Sequence, residues 1–359
     1  MSRIAIIVPG ILGSTLWHCT GQERLILWDS DFSANYKRFV AYASLLRWDG
    51  RRAEAELLET IRLSSVLPIY KNMWRGTLEW LEATKELGYL TSVIKFPYDW
   101  RASLLDTARH LRDALQLCVP ADLASEPARQ SEIRLTFITH SMGGLVARIA
   151  VGLELLHPAW IDRIVHLGTP LRGSPTAFQT AFGSSSLPFL GDFIGLVKGK
   201  NQETYFDALR EAYKTFPSLY QLFPRAEEPF LYYDPLSRSN PLNETVIESR
   251  YREDALKAHN ALDAADASFR NYGTRIDVIY TETHLTRRTE LEYEVAVVQP
   301  SPRYSILNVH AASASGDGTV PAYSACRSEG TVHRHPVINV DHQFMSNSPM
   351  VTPLLRGLF

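Results

Sequence analysis

No stretch of this chain restricts its fold more than Thr139-His140-Ser141-Met142-Gly143-Gly144. A strand pattern, Ile133 to Ile138, precedes it, and a helical pattern, Leu145 to Leu156, follows directly. Strand, then x-x-Ser-x-Gly, then helix is the layout of a nucleophile elbow, in which a strained turn lifts a serine hydroxyl above the end of a sheet. Residues two before and two after the serine crowd that turn, so small side chains are required there. Gly143 meets the requirement, whereas Thr139 stands where the general pattern has glycine. The helix that starts after Ser141 directs its positive end and its free N–H groups at the turn. The N–H of Met142 is therefore a candidate donor to a developing oxyanion. His140 reads as structural, because a sequence neighbour on a sharp turn points away from the serine hydroxyl.

Such an elbow needs a parallel sheet, and the chain alternates accordingly. Ile4 to Val8, Ser92 to Phe96, Ile133 to Ile138, Ile164 to Leu167, Arg275 to Tyr280 and Pro336 to Val340 read as strands, and Thr77 to Leu87 and Leu104 to Leu117 as helices. Short buried strands alternating with helices predict βαβ units, hence an α/β fold with a mostly parallel central sheet flanked by helices. From 172 to 270 the alternation fades into an aromatic-rich stretch, which predicts an inserted cap or lid between core parts 1–171 and 271–359.

An elbow of this class takes its partners in the chain order serine, acid, histidine. Asp317, between Gly316 and Gly318, is placed to accept an imidazole N–H, and His342, 25 residues on, is the expected base. Asp341 is a rival acid, and His310, His333 and His335 are rival bases. The last two are set aside because they precede the expected strand. The second oxyanion donor should come from the loop after the first strand, Pro9 to Gly13, where Gly10 and Gly13 flank Ile11 and Leu12.

Composition narrows the class. A hydrophobic share of 45% with 21% charged residues suits a packed core, and a net charge of −2 argues against a nucleic-acid partner. Three widely spaced cysteines offer neither a disulfide framework nor a zinc pattern. No metal or organic cofactor is needed. The apolar start breaks at Pro9-Gly10 without a cleavage site, and no run reaches membrane-spanning length, so a cytoplasmic chain is expected. The apolar run Leu187 to Val197 reads equally as a lid in peripheral contact with a membrane or as a buried cap helix. Nothing in the sequence sets an oligomeric state.

Together VPGILGS (8–14), FPYDWR (96–101), THSMGG (139–144), LGTPLRGS (167–174), FPSLYQLFP (216–224), SGDGTVP (315–321) and DHQFMSN (341–347) resemble the lecithin:cholesterol acyltransferase family. That family includes lysosomal phospholipase A2 and the phospholipid:diacylglycerol acyltransferases. The resemblance implies an α/β-hydrolase with a cap, and an acyl-serine intermediate passed to water or an alcohol. It implies Ser141 as nucleophile, Asp317 as acid, His342 as base, and Leu12 and Met142 as oxyanion donors, with a lipid or other ester as substrate. Asp99, Trp100 and Arg101 fall in its PYDWR motif, where an Asp99–Arg101 ion pair would brace the floor of the site. A lid-like insertion at about 15–70 and the cap are least like the family. The rival readings are a small-molecule esterase or acyltransferase of a biosynthetic pathway, and a non-catalytic lipid-binding protein on a hydrolase scaffold.

Overall fold

Alternate residues of the first strand are aliphatic on both faces, and that pattern sets the architecture. The computed structural model describes residues 2–20, 23–31, 44–62, 70–119, 121–128, 132–182, 210–224, 247–296 and 303–359. In chain order its elements are β1 (Ser2–Val8), β2 (Ser14–Thr20), β3 (Glu23–Trp28), β4 (Glu54–Leu57), β5 (Thr60–Arg62), β6 (Tyr70–Asn72), α1 (Arg75–Glu86), β7 (Ser92–Lys95) and α2 (Leu104–Cys118). Then come β8 (Ile133–His140), α3 (Met142–Gly152), β9 (Ile161–Leu167), α4 (Pro175–Phe182), α5 (Pro217–Gln221), α6 (Ser249–Tyr272) and β10 (Arg275–Thr281). The chain closes with β11 (His284–Ala296), β12 (Arg303–Gly316), α7 (Ala322–Ala325), β13 (Thr331–Val337) and α8 (Thr352–Gly357).

Six strands form one parallel sheet in the order β13-β10-β9-β8-β1-β7. Because strand side chains alternate between faces, the sheet separates two apolar layers. Ile4, Ile6, Val8, Leu135 and Phe137 face one layer, which holds α2, α3 and α6 residues such as Leu111, Leu145 and Phe269. Ala5, Ile7, Ile138, Val165 and Ile279 face the other, which holds Leu78 and Leu81 of α1 and Leu355 of α8. Helix α3 is buried on every side from Met142 to Val151, as expected of a helix apolar all round.

Segment 15–70 contributes a three-stranded sheet, β3-β2-β4, and the hairpin β5-β6. Within 172–270 the described parts are α4, α5 and α6, and α6 packs along α3. Leu187 to Val197 lies outside the described residues. Among the described residues no helix is long and apolar enough to cross a membrane. Cys19, Cys118 and Cys326 are free thiols.

Two differences from the sequence reading stand out. The last strand runs over Thr331–Val337, not Pro336 to Val340, so His333 and His335 lie within it rather than before it. It is an edge strand, which is why Pro336 is tolerated in a ladder and why its polar sequence gave no buried-strand signal. The long antiparallel ribbon β11–β12 has no counterpart in the sequence reading.

The α3–α6 crossing is close enough to test. A Cβ on Gly152 would lie 1.7 Å from the carbonyl oxygen of Ala261 in α6, a backbone atom that cannot rotate aside. Gly152→Ala should lower stability by about 1–3 kcal/mol in chemical denaturation, the usual range for overpacking. An unchanged midpoint would show that the helices separate freely.

Candidate active site

The order of the sheet places the site. From β1 the chain goes to β7 on one side and later returns to β8 on the other. The helices that follow β1 and β8 therefore lie on opposite faces of the sheet, which makes the carboxyl ends of these two strands its topological switch point. The β1 loop is Pro9 to Gly13, and the turn after β8 carries Ser141.

Ser141 has φ 51° and ψ −128°, a backbone conformation that costs a non-glycine residue about 1–3 kcal/mol. Its N–H donates to Leu167 O at 2.9 Å, and its carbonyl accepts from Gly144 N at 3.0 Å. The two loops touch so closely that side chains are excluded. A Cβ on Gly143 would sit 2.3 Å from Pro9 O, and one on Gly10 would sit 2.7 Å from the Ser141 Cβ.

His342 opens the 3-10 turn His342–Asn347 with its ring over the serine. Its Nε2 lies 2.8 Å from Ser141 Oγ, and its Nδ1 lies 2.6 Å from Asp317 Oδ2. All three residues are at most 5% exposed. The other carboxylate oxygen, Oδ1, accepts the N–H groups of Thr319 at 3.0 Å and Val320 at 2.7 Å. The His342 N–H bonds Asp317 O at 3.1 Å. With the carboxylate accepting at Nδ1–H, the lone pair of Nε2 faces the hydroxyl, which donates to it. That arrangement can draw a proton off the serine and return it to a leaving group.

Leu12 also adopts a left-handed conformation, φ 62°, and its carbonyl accepts the Trp28 indole N–H at 3.0 Å. Gly13 N bonds Gly10 O at 3.1 Å and tightens the loop, with half-buried Ile11 at its tip. Met142 is the first residue of α3, so helix geometry gives its N–H no acceptor within the helix.

The other predicted residues form a brace rather than a reacting group. Asp99 holds Arg101 in a bidentate pair, Oδ1 to Nε at 2.9 Å and Oδ2 to Nη2 at 2.7 Å, and both side chains are buried. Asp99 also accepts Ala53 N at 2.8 Å, Arg101 donates to Leu46 O at 3.2 Å, and the Trp100 indole donates to Ser14 O at 3.1 Å. These bonds tie segment 15–70 to the β1 and β7 loops. Removing one partner of such a pair strands a buried charge, at about 3–5 kcal/mol.

The rival residues sit elsewhere. Asp341 is exposed, His310 lies on β12, and His335 Nε2 pairs with Asp277 at 2.8 Å. Among the described residues no group of three or more His, Cys, Asp or Glu could hold a metal ion. His140 is structural, as its place beside the serine suggests, and the contact it makes could not be read from sequence: its Nε2–H donates to the carbonyl of His342 at 2.7 Å and fixes that loop from below. The sequence reading missed Gly168 (φ 58°), where a Cβ would lie 2.9 Å from Asp317 Oδ2 and 3.0 Å from His342 Nδ1. Both roles depend on contacts far apart in the chain, which no local signal carries.

Sheet order, crossover and elbow are those of an α/β-hydrolase. The sequence profile described as Lecithin:cholesterol acyltransferase matches residues 55–299. No curated protein matches the chain. Among solved structures, the Tle4-Tli4 complex superposes with a TM-score of 0.58 at 14% identity, covering 98% of this chain and 96% of that one. A carboxylesterase from the thaumarchaeon Nitrososphaera gargenis gives 0.42 at 11% identity over 99% and 89% of the two chains. Phospholipase PlaB from Legionella pneumophila gives 0.42 at 12% over 99% and 59%. At these identities the first likeness establishes the fold alone.

Burial, and then the neighbouring His342, push the His140 imidazole down to about 3. An unfolded histidine takes up its proton near pH 6.5, so the folded state binds fewer protons between these values. The stability contribution of neutral His140 is thus fully present above about pH 6.5 and is lost as pH falls toward 3. Denaturation measured across this window should show a slope of up to about 1.4 kcal/mol per pH unit from this residue. His140→Gln should remove that component, and an unaltered slope would show that His140 is not the group responsible.

Proposed function

Because this chain belongs to the lecithin:cholesterol acyltransferase family, we propose that it cleaves an ester-linked acyl group of a lipid through an acyl-serine intermediate. One observation carries the reading: the Ser141 hydroxyl, the His342 ring and the Asp317 carboxylate lie in a hydrogen-bonded row of 2.8 and 2.6 Å.

In this reading His342 Nε2 takes the hydroxyl proton as Ser141 Oγ attacks the ester carbonyl. Asp317 keeps the imidazole in the required tautomer and stabilises the imidazolium. Negative charge grows on the carbonyl oxygen as the tetrahedral intermediate forms. The N–H groups of Leu12 and Met142, on the two touching loops, are the donors assigned to it. His342 then protonates the leaving alcohol, and the Ser141 acyl ester forms as the C–O bond breaks. Water or an acceptor alcohol, deprotonated by the same ring, attacks that ester and frees Ser141. Asp99, Trp100 and Arg101 hold the floor without touching the reacting atoms.

A fluorophosphonate probe should label the wild-type protein at one site, and Ser141→Ala should abolish labelling and lower kcat on an ester by on the order of 10^4–10^6-fold. Asp317→Asn should leave Ser141 in place and lower kcat by roughly 10^3–10^4-fold. Turnover by Ser141→Ala at the wild-type rate would end the assignment. Hydrolysis of short soluble esters with none of phospholipid vesicles would move the substrate class from lipid to small esters. Vesicle binding with no probe labelling would favour a non-catalytic lipid binder.

A further inference from the structure

Thr139 stands where the elbow pattern calls for glycine, and the structure gives its hydroxyl a buried partner. Thr139 on β8 and His166 on β9 are register partners in adjacent parallel strands, so their side chains lie side by side on one face. Thr139 Oγ1 is 3.1 Å from Val165 O and 2.9 Å from His166 Nδ1. The second ring nitrogen, Nε2, lies 3.4 Å from Arg148 Nη1 on α3. Thr139, His166 and Arg148 are each at most 2% exposed.

Hydrogen-bond logic settles which atom gives and which receives. Arginine only donates, so His166 Nε2 is the acceptor and Nδ1 carries the proton. Nδ1–H then donates to Thr139 Oγ1, whose own proton goes to Val165 O. A charged ring would set a second proton against the guanidinium; burial, then Arg148, hold the imidazole well below its ordinary value. Arg148 is anchored beyond this by Asp266 on α6 and by Ser328 Oγ at 3.0 Å. The absence of a side chain at Gly144 makes room, since a Cβ there would fall 2.7 Å from His166 Nδ1.

One imidazole thus grips both arms of the elbow: the strand two residues before Ser141 through Thr139, and the helix seven residues after it through Arg148. We propose that His166, acting through Thr139 and Arg148, is a positioning residue that clamps the strand and helix flanking Ser141 and holds its hydroxyl in line with His342. The inference rests on the reading of Ser141 as nucleophile and adds one requirement: a hydroxyl at 139. A clamp of this kind touches no substrate, so its loss falls on the reaction step and not on binding.

Thr139→Val keeps the shape and replaces the hydroxyl by a methyl group, leaving the His166 Nδ1–H only the longer contact to Thr169 Oγ1 at 3.4 Å, which does not reach the strand before Ser141. Its kcat on an ester should fall by about 10–100-fold, the scale of a small misplacement of reacting groups, with KM within about twofold. Thr139→Ser, which keeps the hydroxyl, should restore most of the rate. The rate constant of fluorophosphonate labelling should follow kcat and is read per labelled molecule, so it is informative even where part of a Thr139→Val sample is unfolded. Wild-type kcat in Thr139→Val, equal losses in Val and Ser variants, or a loss confined to KM would each overturn the clamp. If the wild-type protein labels at Ser141 while Thr139→Val labels equally fast, the clamp alone fails. If the wild-type protein does not label at all, the nucleophile reading fails with it.

Discussion

The backbone at Ser141 is the constraint around which the rest of the site is arranged. A left-handed, strained serine relaxes unless its surroundings over-determine it. Here the restraint comes from both sides. The β1 loop presses on the turn closely enough that Gly10 and Gly143 cannot carry side chains, and the parallel sheet holds the strand beneath. The same contact brings the Leu12 loop beside the first turn of α3. Strain at Ser141 and proximity of the two loops are one structural fact, and the two apolar layers on either face of the sheet supply the burial that sustains it.

The carboxylate and the imidazole that line up with Ser141 reach this turn by separate routes. Asp317 follows β12 and is fixed by two backbone N–H groups of its own loop, while His342 follows β13 and is held from below by His140. His140 is thus the residue through which the strand of Ser141 also sets the His342 loop. A histidine beside the serine has no reacting atom within reach, yet its ring decides where the other ring lies.

The legible parts of the chain were those whose signals are local. The elbow needs only a strand, a serine with glycine two residues on, and a helix, all inside residues 133–156. Asp317 stood out because glycine flanks it on both sides, and the Asp99–Arg101 pair because its members are two residues apart. What stayed hidden depends on distant pairing. β13 is polar and contains proline, which only its place at the sheet edge explains. Gly168 is required by two side chains that arrive about 150 and 170 residues later, and the hydroxyl of Thr139 has meaning only beside His166. The ribbon β11–β12 was missed because nothing in residues 284–316 announces that its two halves pair with each other.

That ribbon separates β10 from Asp317. Its ladder closes at one end with His284 opposite Gly316, and Asp317 is the next residue. The distance from the sheet to the carboxylate is therefore set by the first rung and not by how many rungs lie beyond it. Paired insertions or deletions further out would lengthen or shorten the ribbon while Asp317 stays put. The fold thus has a place where the length of a ribbon can change without altering where Asp317 leaves it.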